Sequence, residues 1–189
     1  MSYNIFFISD THFGDNSFYT YTLDDGSPAR KFKNYIEADE YMIEKYNNII
    51  NPMDRVYFLG DLGVKKVLKE VLPKLNGRKV LIKGNHDTES INFYKNYFDD
   101  IRAYHIRDKI LMSHIPVHPY CKGKNLIQIH GHTHTFKLPD KWYFNCCVEN
   151  HDYTPISYDI IKDYANNIEP QNYLNHRQNI WVNCSNLNL

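Results

Sequence analysis

Surplus charge of either sign is missing: 22 lysines and arginines stand against 22 aspartates and glutamates. A protein that grips nucleic acid through a broad basic face needs excess positive charge. The balance argues against that mode and leaves open a local site for a nucleic-acid end. Long apolar runs are missing too. None approaches the roughly 20 residues of a membrane-spanning helix, so no membrane partner is expected. The start, Met1-Ser2-Tyr3-Asn4, has no basic stretch ahead of its short apolar run, and no signal peptide is expected. Cysteine is scarce. Cys121, Cys146, Cys147 and Cys184 show no C-x-x-C spacing, which speaks against a zinc–thiolate site and for reduced thiols in a cytoplasmic protein.

What is present is enough chain for one domain with a sizeable core. No linker or repeat divides residues 1–189; the expected core is 4–168, with 169–189 as a C-terminal tail. Apolar runs of strand length cover 4–8, 55–59 and 79–82. Between and after them, apolar spacing predicts helices over 35–51, 64–75 and 91–98. This alternation implies parallel strand pairing in an α/β fold. A hairpin is expected over 101–113 with its turn at Asp108-Lys109. Further strands are expected at 126–129 and 142–148, a helix at 157–168, and an edge strand or surface segment at 180–182. Residues 13–34 form a connection too long to be idle, which marks a functional loop.

Five polar motifs each follow a strand-like run: Asp10-Thr11-His12, Gly60-Asp61, Gly84-Asn85-His86-Asp87, Ser113-His114 and Gly131-His132-Thr133-His134. In open α/β sheets, reactive residues gather beyond the carboxyl ends of strands. Asp10 and His12, two apart in an extended segment, would share one side and one cation; His132 and His134 have the same relation. Asp61 can lend an oxygen to each of two metals, Asn85 a neutral oxygen, and His114 another imidazole. Two carboxylates, one amide and four imidazoles are too many for one ion and suit two. With no thiolate, the set favours two divalent ions, Mn, Fe, Zn or Ni, with manganese preferred. Two such ions against two carboxylates leave about two net positive charges, a field that attracts a phosphate ester. Paired ions acidify a bridging water and stabilise in-line displacement at phosphorus. His86 is assigned the proton for the leaving oxygen, and Asp87 the orientation of its ring.

These motifs resemble the calcineurin-like metallophosphoesterase family, whose pattern is Asp-x-His, Gly-Asp, Gly-Asn-His-Asp/Glu, a lone His and Gly-His-x-His. All five blocks occur here in order. Ser9-Asp10-Thr11-His12-Phe13-Gly14, Leu75-Asn76-Gly77-Arg78 and Ser113-His114-Ile115-Pro116 are similar to small bacterial and phage members. The resemblance implies one domain of two mixed β-sheets flanked by helices, a four-layer α/β sandwich. It implies Asp10, His12 and His134 at a first metal, Asp61 bridging, and Asn85, His114 and His132 at a second. Two departures stand out. Leu62-Gly63 follows Asp61, so the second Asp of Gly-Asp-x-x-Asp is missing, and Asp15 stands where the small members carry His.

The expected activity is phosphate-ester hydrolysis, a diester first, with nucleotides among the candidate substrates. The alternatives are a phosphomonoesterase, a nuclease of the same fold, or a non-catalytic metal-binding scaffold. Arg30 and His118 are candidates for contact with the substrate. His130 is expected in the core, Cys146-Cys147 in strand packing, and the aromatics of 13–34 folded on one another.

Overall fold

Residues 3–23, 25–122 and 126–168 are described by the computed structural model; the expected segment at 180–182 lies outside them. Strand β1 (Ile5–Ile8) is the centre of the first sheet because both of its faces are apolar. Phe6 and Ile8 point to one side, among Ala38, Met42 and Tyr46. Ile5 and Phe7 point to the other, among Ile110, Met112 and Ile129. A strand buried on both faces must be covered on both, and here helices lie on one side and a second sheet on the other. Losing a buried side chain such as Phe58→Ala from this interior costs about 3–5 kcal/mol.

The first sheet has the order β4-β3-β2-β1-β9, from β1, β2 (Arg55–Phe58), β3 (Arg78–Ile82), β4 (Asp100–Arg102) and β9 (Ile156–Ser157). Its first four strands are parallel, with Ile8 opposite Phe58 and Phe58 opposite Leu81; β9 runs antiparallel to β1. The second sheet has the order β5-β6-β7-β8, from β5 (Tyr104–Arg107), β6 (Ile110–Ser113), β7 (Ile127–His130) and β8 (Tyr143–Asn145). The expected run 101–107 is in fact two strands in two sheets, crossing at Ala103. The hairpin β5–β6 keeps its turn at Asp108-Lys109, both with positive φ.

Helix α1 (Tyr35–Ile49) starts where the Asn34 side chain accepts the Glu37 N–H and the Glu37 carboxylate accepts the Lys33 N–H. It ends before Asn51-Pro52. Helix α2 (Lys65–Val71) yields to a 3₁₀ turn, Leu72–Lys74, that accommodates Pro73. Helix α3 is only Ile91–Tyr94, shorter than expected. The Asn96 amide donates to the carbonyls of Asn92 and Phe93, competing with the helix ladder. Helix α4 (Tyr158–Asn166) is capped by Ser157 and drives Ile161 between the sheets. The molecule is thus one α/β domain of two mixed sheets flanked by helices. A loop, residues 114–122, covers part of the second sheet's outer face. Gln128 pins it there, donating to Ser113 Oγ and the Ile115 carbonyl and accepting from the Val117 N–H.

Candidate metal centre

Strands β1, β2, β3, β6 and β7 deliver their carboxyl ends to one place, and the five motifs meet there. The chain turns sharply at each end. Asp10, His12, Asp61, His132 and His134 all have φ between +46° and +71°. Non-glycine residues pay about 1–3 kcal/mol for such conformations, which cluster at functional sites. This corrects the extended geometry expected for Asp10/His12 and His132/His134. Rungs beyond the strands hold the turns: Asp10 N–H to Gly60 O at 3.0 Å, His12 N–H to Asp61 O at 3.1 Å and Phe13 N–H to Leu62 O at 2.8 Å. Gly84 has to be glycine, because a Cβ there would collide with the Asp61 carboxylate.

Two groups of donors result, Asp10 with His12 and His134, and Asp61 with His114 and His132; within each, one ligand atom per residue lies within 4.8 Å of the others. His132 and His134 therefore part company. In the first group, Asp10 Oδ1 lies 3.7 Å from His134 Nε2 and 4.0 Å from His12 Nε2. Its other oxygen, Oδ2, accepts from Ser9 Oγ at 2.6 Å, Cys147 Sγ at 3.2 Å and His132 N–H at 2.9 Å. In the second group, Asn85 Oδ1 stands 2.9 Å from both His114 Nε2 and His132 Nδ1. Asp61 Oδ2 stands between the groups, 3.7 Å from His12 Nε2 and 3.2 Å from His114 Nε2.

The donor set fits divalent cations. His12 Nε2 is buried with no hydrogen-bond partner, although it faces two carboxylates. A buried polar atom left so is costly, and a cation would satisfy it. Burial and then the Arg30 charge push the His12 imidazole down to about 3, so its ring is neutral, as a ligand must be. Asp10 and Asp61 are 0% and 1% exposed. Burial raises the Asp10 carboxyl. Burial acts the same way on Asp61, but the His114 hydrogen bond and charge outweigh it and hold Asp61 low. Burial pushes the Cys147 thiol far up, so it is a protonated donor to Asp10 and no thiolate ligand.

His86 is exposed beside this centre, its ring centroid 5.5 Å from that of His12. Its N–H donates to Asp61 Oδ1 at 2.8 Å. Asp87 does not orient the His86 ring. It is buried and accepts the N–H groups of Asp61, Leu62 and Gly84 at 2.8–2.9 Å. It thereby supports the Asp61 turn, which lacks a second Asp in its own motif. Arg30 is no substrate contact either. It is 1% exposed, and its donors end on Asp10 O, Thr11 O and Glu149. His118 is exposed and lines a separate apolar hollow with Pro116, Pro119, Leu138 and Tyr143. His130 is fully buried, as expected.

Sequence reasoning missed Glu149 and Phe18. Glu149 Oε1 lies 3.0 Å from His134 Nδ1 and 2.8 Å from Arg30 Nη2. It arrives because Ser9 and Cys147 form a parallel bridge that ties β1 to the segment after β8. The rule that selected the five motifs, a polar residue just past a strand, would have selected it as well. Phe18, from loop 13–34, covers the rings of His12 and His134 at centroid distances of 4.0 and 4.8 Å. That loop is tied into the centre through Arg30 and Phe18.

The sequence matches the profile described as calcineurin-like phosphoesterase over residues 3–182. The uncharacterized protein MJ1445 of Methanocaldococcus jannaschii is 33% identical over 172 aligned positions, covering 83% of this chain and 88% of that protein. A crystal structure of a protein of unknown function, AQ665 from Aquifex aeolicus, is 30% identical and superposes with a TM-score of 0.65, covering 86% of this chain and 99% of that one. The chain belongs to the calcineurin-like phosphoesterase family.

Proposed function

We propose that this protein hydrolyses phosphate esters, diesters first, with two divalent ions held by Asp10, His12, His134, Asp61, Asn85, His114 and His132. The observation that carries the reading is the position of Asp61 Oδ2, within 3.7 Å of His12 Nε2 and 3.2 Å of His114 Nε2. One carboxylate between two donor groups is what a paired site requires. Nitrogen and oxygen donors suit manganese, iron, zinc or nickel. When bound, such ions neutralise phosphoryl oxygens and acidify water.

The residues of the chain do the rest. Asp10 and Asp61 fix the charge of the site, and neutral His12 keeps its lone pair available. Asn85 positions a neutral oxygen between His114 and His132. Phe18 excludes water from one side of His12 and His134. Water adds to phosphorus and gives up a proton to solvent, the bond from phosphorus to the leaving oxygen breaks, and His86 gives that oxygen a proton that solvent then restores to the ring.

The test is hydrolysis of an aryl phosphodiester and the matching monoester by chelator-stripped protein given manganese back. Manganese-dependent cleavage, faster for the diester, is expected. The His86→Ala protein should bind two ions and turn over about 10²-fold more slowly. Wild-type turnover in that variant would remove the role of His86. Two bound ions with neither ester cleaved would overturn the hydrolase reading.

A further inference from the structure

A cavity of about 620 Å³ opens beside Asn85 and His114, and none of the proposed chemistry uses it. Its floor is the outer face of the β5–β6 hairpin, Tyr104, Ile106 and Leu111; its far wall is Ile115 and Val117. The wall is built rather than loose. Gln128 is fully buried and accepts the Val117 N–H at 3.1 Å, and the Tyr143 hydroxyl donates to the Val117 carbonyl at 2.7 Å. Tyr104, Ile106 and Ile115 leave 62%, 50% and 50% of their surface exposed around this hollow. Apolar surface gathered in one concavity of this size, next to a polar centre, is the form of a small-molecule site.

The position of the cavity decides which part of a substrate it takes. Asn85 and His86 are neighbours in sequence but face different donor groups. The His86 ring stands by His12, whereas the Asn85 amide stands by His114 and His132. A leaving group that takes its proton from His86 departs on the His12 side. In-line displacement leaves the retained substituent lateral to the line of attack and departure, and the cavity that opens beside Asn85 and His114 gives a lateral substituent room.

We propose that this cavity seats the retained substituent of a phosphate diester and that it selects an aromatic one, an aryl or nucleobase ring. The proposal rests on the phosphoesterase reading and deepens it. Tyr104 offers the ring face for stacking, and the aliphatic side chains offer van der Waals contact. A monoester has no substituent to place there, so the cavity serves diesters alone.

Two diesters with the same leaving group test this: phenyl and methyl 4-nitrophenyl phosphate. Wild-type protein with manganese is expected to favour the phenyl ester in kcat/KM by about 10-fold, mainly through KM. In a Tyr104→Ser/Ile106→Ser protein that ratio should fall toward the ratio for the uncatalysed esters. Binding gives a second readout. Phenylphosphonate added to zinc-loaded protein should shift the methyl resonances of Ile106, Leu111, Ile115 and Val117, and methylphosphonate should not. An unchanged ester ratio in the variant, or no shift at those methyls, overturns the proposal; so does finding them already covered by a second copy of the chain. Shifts at those methyls with neither ester cleaved would support the cavity and overturn the hydrolase reading instead.

Discussion

The Glu149 carboxylate stands 3.0 Å from Nδ1 of His134, while Nε2 of the same ring faces Asp10 at 3.7 Å. A carboxylate behind an imidazole fixes its tautomer and raises its basicity toward a metal. Burial opposes a charge on His134, but the Glu149 hydrogen bond and charge outweigh it and raise the imidazole above its ordinary range. Glu149→Gln should weaken manganese binding at the Asp10/His12/His134 group by about 10–100-fold. The second group, where His114 Nδ1 meets the Leu59 carbonyl at 2.8 Å, should change little. A two-site manganese titration checks this: equal weakening of both sites, or of neither, would refute the role.

Arg30 is the counter-charge that makes a buried Glu149 tolerable. Its Nε and Nη2 lie 2.9 and 2.8 Å from Glu149 Oε1. Arg30→Ala leaves that carboxylate without its cation, with an expected loss of about 3–5 kcal/mol. Urea unfolding in chelator measures it. Lysine should restore only part of the loss, because one ammonium cannot also reach Asp10 O and Thr11 O as the guanidinium fork does.

Asp87 holds two backbone N–H groups of the Asp61 turn, those of Asp61 and Leu62, and one of its own loop, that of Gly84. Burial raises its carboxyl, the cost of an anion placed there. Asp87→Asn removes one acceptor and turns an amide N–H₂ toward backbone donors, for a loss of about 1.5–3 kcal/mol. Manganese binding should weaken too, because the Asp61 carboxylate loses its support. Unchanged stability in urea would refute the assignment.

Asp39 supplies a pH dependence outside the metal centre. It is buried on α1, accepts the Gly14 N–H at 2.9 Å, and its Oδ1 has no partner. Burial pushes its carboxyl from 3.8 up to about 7. Between those values the folded state keeps a proton that the unfolded chain releases, so folding stability falls as pH rises. In chelator, the wild-type Tm minus the Asp39→Asn Tm should decrease between pH 4 and pH 8 and level off above. A difference that stays flat across that range would show that Asp39 ionises normally.

Much of this was legible in the sequence because strand-end chemistry is local. Apolar runs such as Ile5–Ile8 announce buried strands, and a polar cluster just past each run announces the edge where they meet. Arg30 was misread because position in the chain does not tell an exposed guanidinium from one buried against two carbonyls. Asp87 was misread because its partners, Asp61 and Leu62, lie 26 and 25 residues away. The short α3 escaped because the Asn96 amide competes with the helix in a way that apolar spacing does not reveal.

The sequence by itself determined the α/β class, the strand ends and the chemical types of the donors. These follow from hydrophobic periodicity and side-chain identity, which need no third dimension. The tertiary structure brings His134 beside Asp10 and His132 beside Asp61, a division that the family resemblance implied and that residue spacing does not give. It also decided that Glu149 stands behind His134 and that a cavity opens beside His114. The Ser9–Cys147 bridge and the left-handed turns produce that partition. The bridge joins the two sheets, and rungs between the ends of β1 and β2 hold the turns at Asp10, His12 and Asp61; no stretch of chain encodes either contact alone.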